Sequence, residues 1–479
     1  MSLKKSASAG MFWNVSVQGF NQLVSFFVYM LLARLLEVED FGLVAFSFLI
    51  IEFSSIFMSI GINQNLIQRK QWSDEFASST FCLILIISAF LTLILVVFVA
   101  PIIYYFYSEL GALIVLALSI TPVVNGMRIT QESKLQREFQ NKKIAGIESV
   151  SILVSGSLSV LLALNGFAVW SIVIGRIVQS LLNTLLIWMK SEFRPKFTFV
   201  SSHFEEIKAF SIPLLTMAIL TFFSGKTMNL VTGLFLGPAL FAYVTIARRP
   251  FNILLSLSMQ QLNKITLATV SRVEDKQVSS TYYRIVALTA FIVIPLYIGL
   301  GSVAGPFIAF SLGGKWEQSI VLMYIVSLAA PAFIMSWYLP TLLISRGHTK
   351  SALKINIYVC FSNIVFPLLA VNWGVEAVCL SIVISAYITL PIRFNIAGEH
   401  LDVALYPALK SILPFVISGL MMFAGTIYID KRDWLSFGNV FSELILLVAT
   451  GGVIYVLFLS VFFKRRLLLV IDEIKKLKE

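Results

Sequence analysis

Two adjacent arginines sit in the stretch Tyr243-Val-Thr-Ile-Ala-Arg-Arg-Pro-Phe-Asn252, well inside a segment otherwise apolar enough to cross a membrane. A cation near the bilayer centre costs about 2.5 kcal/mol or more unless it faces protein, water or an anion, so Arg248 and Arg249 mark a functional site. Thr245, Arg249, Asn252, Ser256, Gln260 and Asn263 recur at steps of three and four, which makes one polar stripe on an apolar helix. Helical neighbours point about 100° apart, and the stripe favours Arg249 over Arg248 as the cavity residue.

Other expected helices carry similar groups. Asn14, Gln18, Asn21 and Ser25 share a face of the first, Glu52, Ser55, Ser59 and Asn63 of the second, Arg176, Gln179 and Asn183 of the sixth, and Lys226 and Asn229 lie on the seventh. Glu52, Arg176, Arg248 and Arg249 are expected at middle depth and Lys226 nearer the outer face, so four cations share a layer with one clear acid. An anion is the natural complement. Guanidinium groups bind a diphosphate by charge-assisted, bidentate bonds while amides bond sugar hydroxyls. The candidate substrate-binding residues are therefore Arg176, Arg249, Arg248, Lys226, Asn14, Gln18, Asn21, Gln179 and Asn252. Glu52 is the candidate for coupling to H+ or Na+, its alternative being an ion pair that sets helix register. Lys226 has the alternative of snorkelling to the interface, and the first helix's amides that of bonding a neighbouring helix. Ser151, Ser155 and Ser159, at steps of four, read as a close-packing face.

The elements that position these groups follow from composition. The chain has 479 residues, 58% of them hydrophobic and 13% charged, with a mean hydropathy of +0.89, far from the soluble balance of about 25% charged residues. The fold class is all-α, a polytopic membrane protein. Apolar runs long enough to cross hydrocarbon fall near 11–36, 41–64, 78–100, 110–130, 144–164, 167–189, 208–236, 239–263, 284–310, 318–344, 352–371, 374–397, 408–429 and 438–462, about 14 transmembrane helices. Leu36 and Phe41 recur as Leu236 and Phe241 at one offset, and Val99-Ala-Pro101 resembles Val303-Ala-Gly-Pro306. This predicts a six-helix bundle over 1–205 and another over 206–400 in parallel pseudo-repeat, two C-terminal helices over 401–463, and a basic tail over 464–479.

Lysine and arginine concentrate in alternate connections: Lys4 and Lys5; Arg69 and Lys70; Arg128, Lys134, Arg137, Lys142 and Lys143; Lys190 to Lys208; Lys264 to Arg284; Arg346, Lys350 and Lys354; Arg393 and Lys410; and the tail from Lys464. The positive-inside rule then places both termini in the cytoplasm. Much of the net charge of +11 is accounted for that way, so no nucleic acid partner is called for. The segment after Phe463 has the pattern of an amphipathic helix on the inner leaflet, with a solvated tail as its alternative. Cys82, Cys360 and Cys379 have no metal-ligand spacing, and His203, His348 and His400 are far apart in sequence. Neither a metal site nor a catalytic triad is expected. No cofactor is called for.

Leu32-Ala-Arg-Leu-Leu-Glu-Val-Glu-Asp-Phe-Gly-Leu-Val-Ala45, followed by Gly61-Ile-Asn-Gln-Asn-Leu-Ile-Gln68, resembles the first hairpin of the Wzx-type polysaccharide flippases, especially the colanic-acid and lipopolysaccharide exporter branch. Gly299-Leu-Gly-Ser-Val-Ala-Gly-Pro306, Leu312-Gly-Gly-Lys-Trp316 and Ser345-Arg-Gly-His-Thr-Lys350 agree with it. The resemblance implies the multidrug/oligosaccharidyl-lipid/polysaccharide exporter fold and export, by alternating access, of undecaprenyl-diphosphate-linked oligosaccharide for O-antigen, capsule or exopolysaccharide. It implies a bacterial inner-membrane location, with membrane lipids, a polysaccharide polymerase and glycosyltransferases as further partners. The second-half hairpin, Gly237-Pro-Ala-Leu-Phe-Ala242, departs from a coupling-acid pattern. Two alternatives are a cation-coupled multidrug exporter, which would line its cavity with acids, and a membrane glycan polymerase or ligase, which would need long, charged outer loops.

Overall fold

The computed structural model describes residues 3–59, 61–198, 200–270, 277–432, 434 and 439–476, of which 3–16, 59, 201, 260–270, 471 and 473–476 are described by backbone alone. Every regular element among them is helical. The long helices are α1 (Leu3–Leu35), α2 (Val38–Ser59), α3 (Asp74–Phe106), α4 (Glu109–Arg137), α5 (Asn141–Leu164), α6 (Val169–Lys190), α7 (Ser202–Leu236), α8 (Pro238–Val270), α9 (Val278–Ser302), α10 (Gln318–Ser327 with Ala330–Ser345), α11 (Thr349–Trp373), α12 (Val375–Leu401), α13 (Leu405–Lys431), α14 (Val440–Phe462) and α15 (Lys464–Lys476). Eleven of them, α2 to α7, α9 and α11 to α14, are long and apolar enough to cross a membrane, and α10 makes a twelfth if its pieces, bent by 42°, form one span. The two other expected spans, α1 and α8, are helices of 33 residues each that carry polar stripes.

Helix starts follow local chemistry. Ser73 Oγ accepts from the amide of Phe76 at 3.3 Å, Ser108 Oγ from that of Gly111 at 3.2 Å, and Asn439 Oδ1 from that of Phe441 at 2.9 Å, each satisfying a first-turn donor that has no partner within its own helix.

The chain forms two compact units. One comprises residues 1–222 with Gly237–Ala242, the other Phe223–Leu236 with residues 243–479. In the first, Val44, Leu95, Ile114, Val115 and Val173 join α2, α3, α4 and α6 in one apolar core. The Asp-Phe-Gly hairpin has a packing reason. A Cβ on Gly42 would lie 1.9 Å from the carbonyl oxygen of Pro238, so only glycine allows this approach of two backbones. The serine face of α5 packs closely: Ser151, Ser155 and Ser159 are buried, a Cβ on Gly156 would meet Val28 of α1 at 2.7 Å, and one on Gly175 of α6 would meet Ser159 Oγ at 1.8 Å.

In the second unit, buried tyrosines find acceptors for their hydroxyls, as burial requires. Tyr282 donates to the carbonyl of Met335 at 2.5 Å, Tyr297 to that of Phe251 at 3.3 Å, and Tyr338 shares a bond of 2.8 Å with Thr289. On α13, Ser411, Ser418 and Thr426 donate to carbonyls of their own helix, those of Ala408, Pro414 and Met422, at 2.7, 2.8 and 2.8 Å. Gly419 lies against Ile294 and Ile298 of α9. At the start of α13, the amide of Ala404 donates to Tyr283 Oη of α9 at 2.8 Å.

Several basic residues expected in connections lie inside helices instead. Arg128, Lys134 and Arg137 belong to α4, Arg284 to α9, Lys354 to α11 and Arg393 to α12. Arg137 donates from Nη1 to the carbonyl of Arg69 at 2.5 Å and from Nη2 to that of Lys70 at 3.0 Å, and so caps the segment after the short helix Ile62–Gln68. Their charge has a structural use beside any topological one. His348 and His400, distant in sequence, stack with ring centroids 4.0 Å apart. Among the described residues no group of three or more His, Cys, Asp or Glu side chains could hold a metal ion.

Candidate functional site

The two units present cationic groups in different settings. In the first, α6 is laced to α4 along one stripe. Ser180 Oγ donates to Asn125 Oδ1 at 2.9 Å, Thr184 Oγ1 to the carbonyl of Val124 at 2.9 Å, and Trp188 Nε1 to that of Met127 at 2.8 Å. Arg176 lies four residues before Ser180 in the same rhythm, so this lacing fixes its direction. Its Nη1 donates to Gln179 Oε1 at 3.2 Å, and its guanidinium carbon lies 5.8 Å from the Phe48 ring centre. Arg128 and Glu52 are the charges that bear on it. Arg128 in turn pairs with Glu132, Nε to Oε2 3.3 Å, and the charges of both bear on Glu148. Two arginines thus meet three carboxylates. This cluster holds one more carboxylate than arginine, where the sequence alone suggests an excess of cations.

The second unit differs. Arg248 on α8 donates from Nη1 to Asn229 Oδ1 on α7 at 2.7 Å. It borders a small cavity of about 90 Å³ with Asn252, Tyr297 and Cys379, and a larger one of about 320 Å³ with Trp337, Asn363 and Arg393. Arg249, the arginine the stripe favours, lines neither of these two cavities. Among the described residues no carboxylate stands at ion-pair distance from Arg248 or Arg393.

The remaining candidates divide. Asn21 is 6% exposed and its Oδ1 accepts from Ser149 Oγ of α5 at 2.7 Å, so it holds two helices together. Gln18 is exposed, Arg249 and Lys226 are half-buried, and the side chain of Asn14 lies outside the described residues. Glu52 is exposed and is grouped with Arg176 by its charge.

Sequence reasoning missed Arg128, Glu132, Glu148, Trp337 and Arg393 as site residues. The signal was present for two of them, since Arg128 and Arg393 fall inside the apolar runs 110–130 and 374–397. Each lies close enough to a run's end to be counted with the following connection.

The arrangement of long apolar helices superposes on solved membrane proteins. The lipid II flippase MurJ in an inward closed conformation superposes with a TM-score of 0.77 at 18% identity, covering 94% of this chain and 99% of that one. An inward-facing multidrug resistance MATE family transporter of the MOP superfamily does so with a TM-score of 0.57 at 14% identity, covering 86% and 94%. The fold is therefore similar to that of MurJ and of this MATE protein.

By sequence the chain belongs to the Polysaccharide biosynthesis protein family, whose model matches residues 31–321. It is 22% identical over 328 residues to the succinoglycan biosynthesis transport protein ExoT of Rhizobium meliloti (strain 1021), covering 68% of this chain and 66% of that protein. It is 20% identical over 375 residues to the lipopolysaccharide biosynthesis protein WzxC of Escherichia coli (strain K12), covering 75% and 74%.

Proposed function

We propose that this chain is a flippase of the bacterial inner membrane that moves undecaprenyl-diphosphate-linked oligosaccharide from the cytoplasmic to the outer leaflet for surface polysaccharide synthesis. On this reading all fourteen long helices from α1 to α14 cross the membrane, both termini are cytoplasmic, and transport follows alternating access, the cationic groups facing first one side and then the other. Family membership and the shared transporter fold support it. The observation that carries it is Arg248, a guanidinium within a long helix of a membrane protein, held by the amide of Asn229 and not by an acid. A cation kept there without a carboxylate is suited to an anionic passenger, and a phosphate ester offers the complementary geometry.

Arg176, Arg249, Lys226 and the amides Gln179 and Asn252 complete the proposed binding set, and Glu52 beside Arg176 is the coupling candidate. The test is uptake of lipid-linked oligosaccharide into inverted membrane vesicles. Arg248→Ala and Arg176→Ala are each expected to lower the rate about tenfold with normal insertion. Wild-type rates in both variants would refute the phosphate-binding assignment. Export of a cationic drug that depends on Glu52, with both arginines dispensable, would favour the multidrug alternative.

A further inference from the structure

The cavity of about 320 Å³ inside the second unit is walled by α7, α8, α10, α11 and α12. Its polar lining is unusual in kind. Arg393 is 8% exposed, and its Nη1 donates to Ser336 Oγ at 2.6 Å, yet its buried Nε finds no protein acceptor. The buried indole Nε1 of Trp337 finds none either. Guanidinium and indole groups are donors only. The amide of Asn363 is already engaged: its Nδ2 donates to the carbonyl of Ser224 at 2.9 Å, and its Oδ1 accepts from Ser385 Oγ at 2.9 Å. Arg248 brings a second guanidinium to the same cavity.

Water can satisfy an N–H, and the cavity has room for several molecules. Water does not cancel charge. Two arginines line the one cavity, and no carboxylate among the described residues pairs with either. A ligand that answers both the positive charge left without a carboxylate and the vacant donors must be an acceptor, multidentate and negatively charged. Phosphoryl oxygens meet all three conditions, because each guanidinium offers a planar fork of N–H groups to a pair of them.

We infer that this cavity is a phosphate-binding site whose clamp is Arg248 and Arg393, with Trp337 Nε1 as a third donor. The inference rests on the proposed function for the source of its ligand, the diphosphate of a polyprenyl-linked oligosaccharide. Its chemistry is the same for free pyrophosphate.

The experiment uses the full-length protein in nanodiscs with inorganic pyrophosphate as the probe, measured by calorimetry, and undecaprenyl diphosphate as competitor. Pyrophosphate is expected to bind, Arg393→Gln to weaken it about tenfold or more, and Arg393→Lys to retain part of the affinity. Trp337→Phe, which keeps the ring and removes one donor, is expected to weaken it about threefold to tenfold. Thermal melting of each variant separates lost binding from lost folding. Absence of pyrophosphate binding by the folded parent, or equal affinity in parent and folded Arg393→Gln, overturns the site.

Competition by undecaprenyl diphosphate upholds the site and assigns it to the lipid headgroup. Binding without competition upholds it and assigns it to a soluble phosphate. The two proposals fail separately. Vesicle transport that persists in Arg393→Gln at the parent rate, with no pyrophosphate binding, removes the site and leaves the flippase. Arg393-dependent pyrophosphate binding in a protein that moves no lipid-linked sugar removes the flippase and leaves the site.

Discussion

Arg248 and Asn229 join α8 to α7 through one bond of 2.7 Å, in which a neutral amide holds a guanidinium. An aspartate at position 229 would hold it as well and neutralise it. Asn229→Asp is therefore expected to keep the melting temperature within a few degrees while lowering transport about tenfold. Asn229→Ala is expected to lower stability by about 1–3 kcal/mol, because it leaves a half-buried charged donor without its acceptor. Vesicle uptake and thermal melting of the two variants check both.

Gly42 faces the carbonyl of Pro238 with no space for a methyl group, and both sides of the clash are backbone. Relaxation by a rotamer change is impossible, so Gly42→Ala is expected to cost at least about 1–3 kcal/mol. The readout is the yield of folded protein and its melting temperature. A melting curve equal to the parent's would remove this account of the Asp-Phe-Gly hairpin.

Gly175 meets a side chain rather than backbone, the hydroxyl of Ser159. Gly175→Ala is expected to destabilise by about 1–3 kcal/mol, and adding Ser159→Ala to recover part of that loss. A double-mutant cycle measures the coupling, expected at about 0.5 kcal/mol or more. Strictly additive effects would mean that the α5 and α6 contact lies elsewhere.

Arg128 and Glu132 pair at 3.3 Å with side chains 25% and 23% exposed. Glu132→Gln removes one partner and is expected to cost about 1–2 kcal/mol, between the values for exposed and buried pairs. The double change Arg128→Met with Glu132→Leu is expected to restore most of it, since the charges are then removed together. Chemical or thermal unfolding in detergent gives the comparison.

Much of this molecule can be read before any coordinates exist, and the exceptions have causes. Long apolar runs become helices because a bilayer leaves the backbone no other partner. The serine face of α5 reads correctly because steps of four admit only one face of a helix. Asn21 leaves two readings open, because an amide inside a membrane protein serves equally well for helix packing and for a cavity, and its bond to Ser149 matches the packing alternative. Arg128 and Arg393 escape notice for a different reason. Helices α4 and α12 run on to Arg137 and Leu401, past the ends of their apolar runs, so cations counted as loop residues lie within them. Arg248 borders the small cavity with Tyr297 and Cys379, whereas the polar stripe read along the helix favours its neighbour Arg249.

Helix α13 turns its hydroxyls back upon its own carbonyls and offers Gly419 as a notch to α9, while Tyr283 anchors the chain at Ala404. With those hydroxyls satisfied inside α13, its seam with α9 is held by shape and dispersion, with the Tyr283 bond fastening one end.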